Sequence, residues 1–427
     1  MSVALFVKAQ TPAEKLLTEY EERFVVMDSL LFGSTSQSGT SPTGVSFVEP
    51  RRMDAIDNWT EALIEAEKSK TGLEISGQSY YRPGNGFGYD SDDPLAAYNF
   101  KAQAELQWHI FQSSLYKRAL KIRELRLKGD IAQFEVEKKA INQTIINQKL
   151  DSRRKHDALL LPLLQHHSDN LSVLTSTQAY LLQNGKISSD DLLKLMSDKA
   201  EIDRQLTTIK SDSLIKERIL SPECCLVMVD TLGLLNHIRS SHHDLVKLAL
   251  QAELLGVRQE SIDYLQTMSI SPFARYAWYN RPAASSSTNI DIGVSFKIPL
   301  SFETSKERKA LKAEQEKVIQ QQQILREQLE NEVNLILLEL HSYNESIRGE
   351  HERFNKIKAY MADRNNSYKN RIGEYNRLSR LMEYNACLAS WEKLINYEYQ
   401  RDCKLIDLQS YVMDQPITDF VKVITVK

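Results

Sequence analysis

Two pairs of adjacent histidines, His166-His167 and His242-His243, are the residues in this sequence most suited to chemistry. Imidazole can act as a base or bind zinc. A helical zinc face, however, takes ligands spaced as in H-E-x-x-H, on one side of the helix. Neighbours on a helix point about 100° apart, so neither pair makes such a face. The cysteines are Cys224, Cys225, Cys387 and Cys403, with no C-x-x-C spacing. Cys387 and Cys403 would lie about 24 Å apart along one helix, far beyond disulfide reach. All four read as buried thiols. There is no nucleophile elbow, phosphate loop or paired-carboxylate motif. The expectation is therefore no enzyme, no metal and no cofactor.

The elements that position these side chains are unusual. From Tyr98 to Ile110 the chain alternates: Tyr98, Phe100, Ala102, Ala104, Leu106, Trp108 and Ile110 are apolar, while Asn99, Lys101, Gln103, Glu105, Gln107 and His109 are polar. Period two gives one wet and one apolar face. An ordinary strand averages about 5–6 residues; this run fits a tilted membrane-spanning strand of about 9–11 residues with its ends. Then Gln112 to Asn184 holds one glycine, Gly129, and one proline, Pro162. A continuous helix there would be about 110 Å long, with a kink predicted at Pro162.

The pattern recurs. Ile290, Ile292, Val294, Phe296, Ile298 and Leu300 alternate with polar or small partners, and Phe302 to Ile372 follows with Gly349 as its only glycine. Leu106 and Phe296 are 190 residues apart, Gly185 and Gly373 are 188, and Pro222 and Pro416 are 194. Three markers at nearly one spacing define an internal repeat. The first repeat covers 10–237: hairpin strands 72–82 and 96–110, long helix 112–184, return helix 188–218. The second covers 238–427: helix 241–266, hairpin strands 267–280 and 288–300, long helix 302–372, return helix 376–412 and a short tail. Residues 1–9, ending Val7-Lys8-Ala9, read as the remnant of a signal peptide. Tyr276, Trp278 and Tyr279 gather at a hairpin end, as in the aromatic girdle of a barrel or the core of a soluble sheet.

A formal charge of −3 over 427 residues gives no electrostatic case for nucleic acid. No stretch approaches the ~18–20 apolar residues of a transmembrane helix, which leaves barrel strands untouched.

The order helix, strand, strand, long helix, turn at glycine, helix back, given twice, resembles the TolC family of outer-membrane efflux proteins. Asp291-Ile-Gly-Val-Ser-Phe-Lys-Ile-Pro-Leu300 is similar to its strand-to-helix junction. Asn184-Gly-Lys-Ile-Ser-Ser-Asp-Asp-Leu-Leu193 and Asn370-Arg-Ile-Gly-Glu-Tyr375 are similar to its two helical tips, and His242-His-Asp-Leu245 to a rising segment. The resemblance implies a mainly α fold with a membrane β-barrel, two structural repeats per chain. A homotrimer would form a 12-stranded β-barrel continued by a long periplasmic α-helical barrel. It implies an exit duct in the outer membrane of a Gram-negative bacterium, most of the chain lying in the periplasm. Such a duct serves a tripartite efflux pump or type I secretion system, with a periplasmic adaptor protein, an inner-membrane transporter of the RND or ABC type, and outer-membrane lipid as partners. Tip residues Asn184, Gly185, Lys186 and Ile187, with Arg371, Ile372, Gly373, Glu374 and Tyr375, would meet the adaptor. Trp108, His109, Ile298 and Pro299 would mark the strand-to-helix junctions. By the same resemblance Ser379, Met382 and Glu383 would stand where the entrance narrows; the first two are not acidic, so an acidic ring is not expected. A coiled-coil scaffold without channel activity is the alternative. It accounts for the helices but not for paired alternating strands at matching repeat positions.

Overall fold

The computed structural model describes residues 12–33, 53–81, 88–89, 97–109, 115–185, 189–212, 214–215, 218, 224–262, 269–280, 287–297, 303–369, 376–413 and 415–426. The described helices are α1 (Pro12–Phe32), α2 (Asp54–Ser69), α3 (Leu115–Gln183), α4 (Ser189–Lys210), α5 (Thr231–Ser241), α6 (His243–Ser261), α7 (Glu303–Lys369) and α8 (Arg377–Val412). The strands are β1 (Leu73–Tyr81), β2 (Gly88–Tyr89), β3 (Ala97–Tyr98), β4 (Phe100–Trp108), β5 (Cys224–Val229), β6 (Ser269–Asn280), β7 (Ser287–Lys297) and β8 (Val421–Val426). Residues 1–9, including the expected signal remnant, lie outside the described residues.

Several boundaries differ from the sequence expectation, each for a local reason. The strand expected over 96–110 is divided at Asn99. Ala97 and Tyr98 pair with Tyr89 and Gly88, and β4 begins only at Phe100. The return helix expected to reach 218 stops at Lys210. There Ser211 and Asp212 close three-residue turns on Thr208 and Ile209, and the Asp212 carboxylate accepts the Leu214 N–H at 3.0 Å. An aspartate that bonds the backbone two residues on offers it an alternative to the helix. The helix expected over 241–266 begins at His243 instead, because His242 has a non-helical backbone and its ring accepts the Asp244 N–H at 3.3 Å as the cap of α6. Pro162 does not end α3. Proline removes the donor that would reach the carbonyl four residues back; the Arg218 N–H bonds that Ala158 carbonyl instead, at 3.0 Å.

The chain forms two compact units that cut across the sequence repeats, each repeat contributing to both. One unit comprises Pro50–Lys139 and Ser240–Gln328. It holds a four-stranded antiparallel sheet in the order β1-β4-β6-β7. Below its strands, Leu120 and Leu127 of α3 meet Leu254 and Val257 of α6. Helix α2 approaches α3 closely at Gly129, where a Cβ would stand 2.5 Å from Thr60 Oγ1. Lys138–Asp244 at 2.6 Å and Lys247–Glu135 at 2.7 Å tie α3 to α6.

The other unit comprises Met1–Glu49, Ala140–Arg239 and Leu329–Lys427. Its core joins Phe24 and Met27 of α1, Leu163, Leu164 and Leu174 of α3, Leu206 of α4, and Leu381, Tyr384 and Leu388 of α8. In α7, Val333, Leu340, Ile347, Phe354 and Met361 recur every seventh residue and are all buried. A seven-residue repeat keeps one seam facing a partner helix, as in coiled coils. Strand β5 pairs with β8 from the far end of the chain, Cys224 opposite Val426 through Val229 opposite Val421. The Asn344 amide on α7 then clips Val227, accepting its N–H at 3.1 Å and donating to its carbonyl at 2.7 Å.

Candidate functional site

The sheet of the first unit has two unlike faces. Register places Leu73, Ile75 and Tyr81 of β1, Phe100, Leu106 and Trp108 of β4, Tyr276 and Trp278 of β6, and Ile290, Ile292, Val294 and Phe296 of β7 on one side. This apolar side points outward: Ile75 is 79% exposed, Ile290 72%, Ile292 83% and Phe296 69%. The opposite side carries Glu74, Gln78, Lys101, Gln103, Glu105, Gln107, Arg275, Asn289 and Asp291. There Arg275 pairs with Glu105 at 3.0 Å, and Lys101 lies 5.3 Å from the centre of the Tyr279 ring while only 8% exposed. A water-soluble sheet turns its apolar side toward the protein interior; here the polarity is reversed. Phe273 covers Gly293 on the polar side, where a Cβ would come within 2.7 Å of its ring. Strands β1 and β7 form the two edges.

The aromatic trio of β6 does not form one cluster. Tyr276 and Trp278 share the outward apolar side, with Trp278 edge-on to Phe100 at 5.6 Å, whereas Tyr279 is on the polar side and buried. Period-two geometry separates Tyr279 from the other two. At the junction, Trp108 ends β4 and donates from Nε1 to the Thr71 carbonyl at 3.3 Å. His109 sits between Ser271 and Glu74, 3.0 Å from each. Ile298 and Pro299 lie outside the described residues.

At the first tip, Gly185 has φ +68 and its N–H reaches the Leu182 carbonyl at 2.9 Å; no atom would crowd a Cβ there. Only the left-handed backbone demands glycine at this helix end. Asn184 turns its amide back onto the Tyr180 carbonyl at 2.7 Å. Lys186, Ile187, Arg371, Ile372, Gly373, Glu374 and Tyr375 are outside the described residues. Past the second tip, Asn376 caps α8 through the N–H groups of Leu378 and Ser379. Met382 is 50% exposed. Glu383 is bound to Arg364 of α7 and accepts from Ser379 Oγ at 3.3 Å. Next to it, Asp28 of α1 receives Arg380 at 2.7 Å and the Tyr384 hydroxyl, and Arg380 stacks 4.4 Å from the Phe24 ring. Burial, with Asp28 beside it, pushes the Tyr384 hydroxyl well above its usual range.

Arg364 was not among the expected site residues. In an antiparallel helix pair, residues equidistant from the connection meet; Arg364 lies five residues before the end of α7 and Glu383 six after the start of α8. Phe354 and Trp391 obey the same rule and touch at 5.6 Å. The histidine pairs serve helix packing. His167 binds Glu392 at 2.8 Å, and His243 lies 3.4 Å from Glu137 and edge-on to Phe134. Among the described residues no group of three or more His, Cys, Asp or Glu is placed to hold a metal, and no helix is long and apolar enough to cross a membrane. Cys387 is buried, which pushes its thiol up to about 12. Contrary to expectation, Cys225 and Cys403 are only half-buried.

No protein-family model and no curated protein sequence matches the chain. Solved structures do. The CmeC outer-membrane channel of Campylobacter jejuni aligns with a TM-score of 0.57 at 10% identity, over 94% of this chain and 84% of that one. The outer-membrane protein VceC of Vibrio cholerae gives 0.54 at 12% identity, over 94% and 97%. The open state of the MtrE outer-membrane channel of Neisseria gonorrhoeae gives 0.52 at 10% identity, over 89% and 93%. The chain has the mainly α, TolC-like fold of these outer-membrane channels.

Proposed function

We propose that this protein is the outer-membrane exit duct of an efflux or secretion assembly. The observation that carries the reading is the inverted sheet, with isoleucine and phenylalanine outside and an Arg–Glu pair on the other side. Such polarity suits a sheet with lipid on one side and a wet lumen on the other. A strand the length of β7, eleven residues, tilted by about 45°, covers about 25 Å of bilayer, the height of a barrel's apolar band. The edges β1 and β7 cannot face hydrocarbon unpaired. Three copies joined β7 to β1 keep every neighbour antiparallel and close twelve strands, wide enough for a water-filled interior. The helices would then continue the duct through the periplasm, meet an adaptor at the tips around Gly185 and Gly373, and receive cargo from an inner-membrane transporter. Catalysis has no part in this role. A coiled-coil scaffold explains the seven-residue seam of α7 and leaves the exposed sheet without a purpose.

The test is single-channel recording of detergent-purified protein in a planar bilayer, with its mass measured in the same detergent. A trimer with steady openings is expected. Release of Glu383 by Arg364→Ala is expected to move the reversal potential toward cation preference. A water-soluble monomer that never inserts overturns the reading.

A further inference from the structure

A cavity of about 820 Å³ opens where the strands meet the helices of the sheet-bearing unit. It lies between the end of α2, the first turns of α3, the end of α6 and the start of β1. Its size is that of a small-ligand pocket. Five cationic side chains line it, Lys70, Lys117, Arg118, Lys121 and Arg258, against three carboxylates, Glu67, Glu74 and Glu124.

The carboxylates are already engaged. Glu67 holds Lys70 at 2.7 Å, Glu74 holds His109 at 3.0 Å, and Glu124 holds Lys121 at 2.8 Å and Arg258 at 3.3 Å. Arg118 donates to the neutral carbonyl of Lys70. The lining thus carries two more cationic side chains than carboxylates, an excess of positive charge that favours an anion. The cavity also touches the outward apolar side of the sheet. Leu73 lines it and is exposed, and Trp108, opposite Leu73 in the register, hangs its indole N–H on Thr71 of the cavity wall. Tryptophan with one apolar and one wet end is the residue of a membrane–water interface.

We propose that this cavity holds the phosphate of an anionic glycerophospholipid, with Lys117 and Arg118 as its charge partners and the acyl chains running up the apolar side beside Leu73 and Trp108. Basic pockets at the membrane boundary bind anionic headgroups this way, and guanidinium meets a phosphate through parallel hydrogen bonds. The inference rests on the barrel reading above.

The test uses the full-length protein in detergent and counts retained lipid by native mass spectrometry. Phosphatidylglycerol, phosphatidylcholine and inorganic phosphate are each added. Phosphatidylglycerol is expected to be retained over phosphatidylcholine. The double variant Lys117→Gln/Arg118→Gln is expected to lose about tenfold in its retention, two charge-assisted bonds being removed. Arg126→Gln/Lys139→Gln, which removes the same charge elsewhere on α3, is expected to keep it. Equal retention by both doubles, or of both lipids, overturns the site. Displacement of phosphatidylglycerol by millimolar phosphate makes it a site for free anion and overturns the lipid. Flotation with vesicles separates the two readings: protein that does not float fails as a barrel, whereas protein that floats without the lipid preference fails only here.

Discussion

Glu124 shows how much one side chain contributes where helices converge. Burial raises its carboxyl, but Lys121 and Lys128 together outweigh burial and hold it at about 2, against 4.5 for the free group. A folded-state value below the unfolded one contributes stability that is full above the unfolded value and fades as pH falls toward the folded one. Thermal unfolding followed by circular dichroism is therefore expected to show a midpoint that declines between about pH 4.5 and about pH 2. In Glu124→Gln that decline should be shallower and the midpoint at neutral pH lower; an unchanged profile would exclude this carboxylate as a source. At this scale the sequence was least legible. Nothing in the local order of Lys121, Glu124 and Lys128 says that Arg258, 134 residues away, completes the group. Glu383 was expected near the entrance from the family resemblance, whereas its pairing with Arg364 needed the helix pair.

Whole elements were more legible, because a helix or strand is set by period and local sterics. The long helices over 115–183 and 303–369 fall within the expected tracts, and the expected glycine turn at 185 has the backbone that requires glycine. What misled was competition from side chains with the backbone, at Asp212 and His242. The pairing of β5 with β8 could not be read at all, since a strand's partner 190 or more residues away leaves no local mark. Asn344 makes that pairing depend on α7. Asn344→Ala removes both clips on Val227 and is expected to cost about 1–3 kcal/mol, the range for leaving backbone groups unsatisfied. Hydrogen exchange is the direct check: the Val227 amide should lose protection while the amides of the α7 seam keep theirs.

At the scale of the molecule, the direction in which the sheet faces separates a membrane duct from a soluble scaffold. Ile292→Lys puts a charge in the middle of the outward side of β7. In a soluble protein this is a favourable surface change. On the lipid side of a barrel it costs about 2–4 kcal/mol at mid-membrane. The expected result is reduced assembly of trimer in vesicles. Asp291→Lys on the other side, next to it in sequence, should assemble normally. If both variants insert equally well, lipid does not cover the apolar side.

The sequence by itself determined the periods, two and then about 3.6, the glycine and proline positions, and the repeat that sets one hairpin and helix pair against another. The periods are short-range properties, fixed by residues two to four apart, and the repeat is the same short-range pattern met again 188 to 194 residues later. Only the tertiary structure decided which side of each strand faces out, that Tyr279 parts from Tyr276 and Trp278, which residue answers Glu383, and that the carbonyl left open by Pro162 is met by Arg218. Alternation shows that a strand has two sides, and it is silent on which side meets solvent. That follows from register among four strands drawn from both repeats, and register depends on where distant segments come to rest.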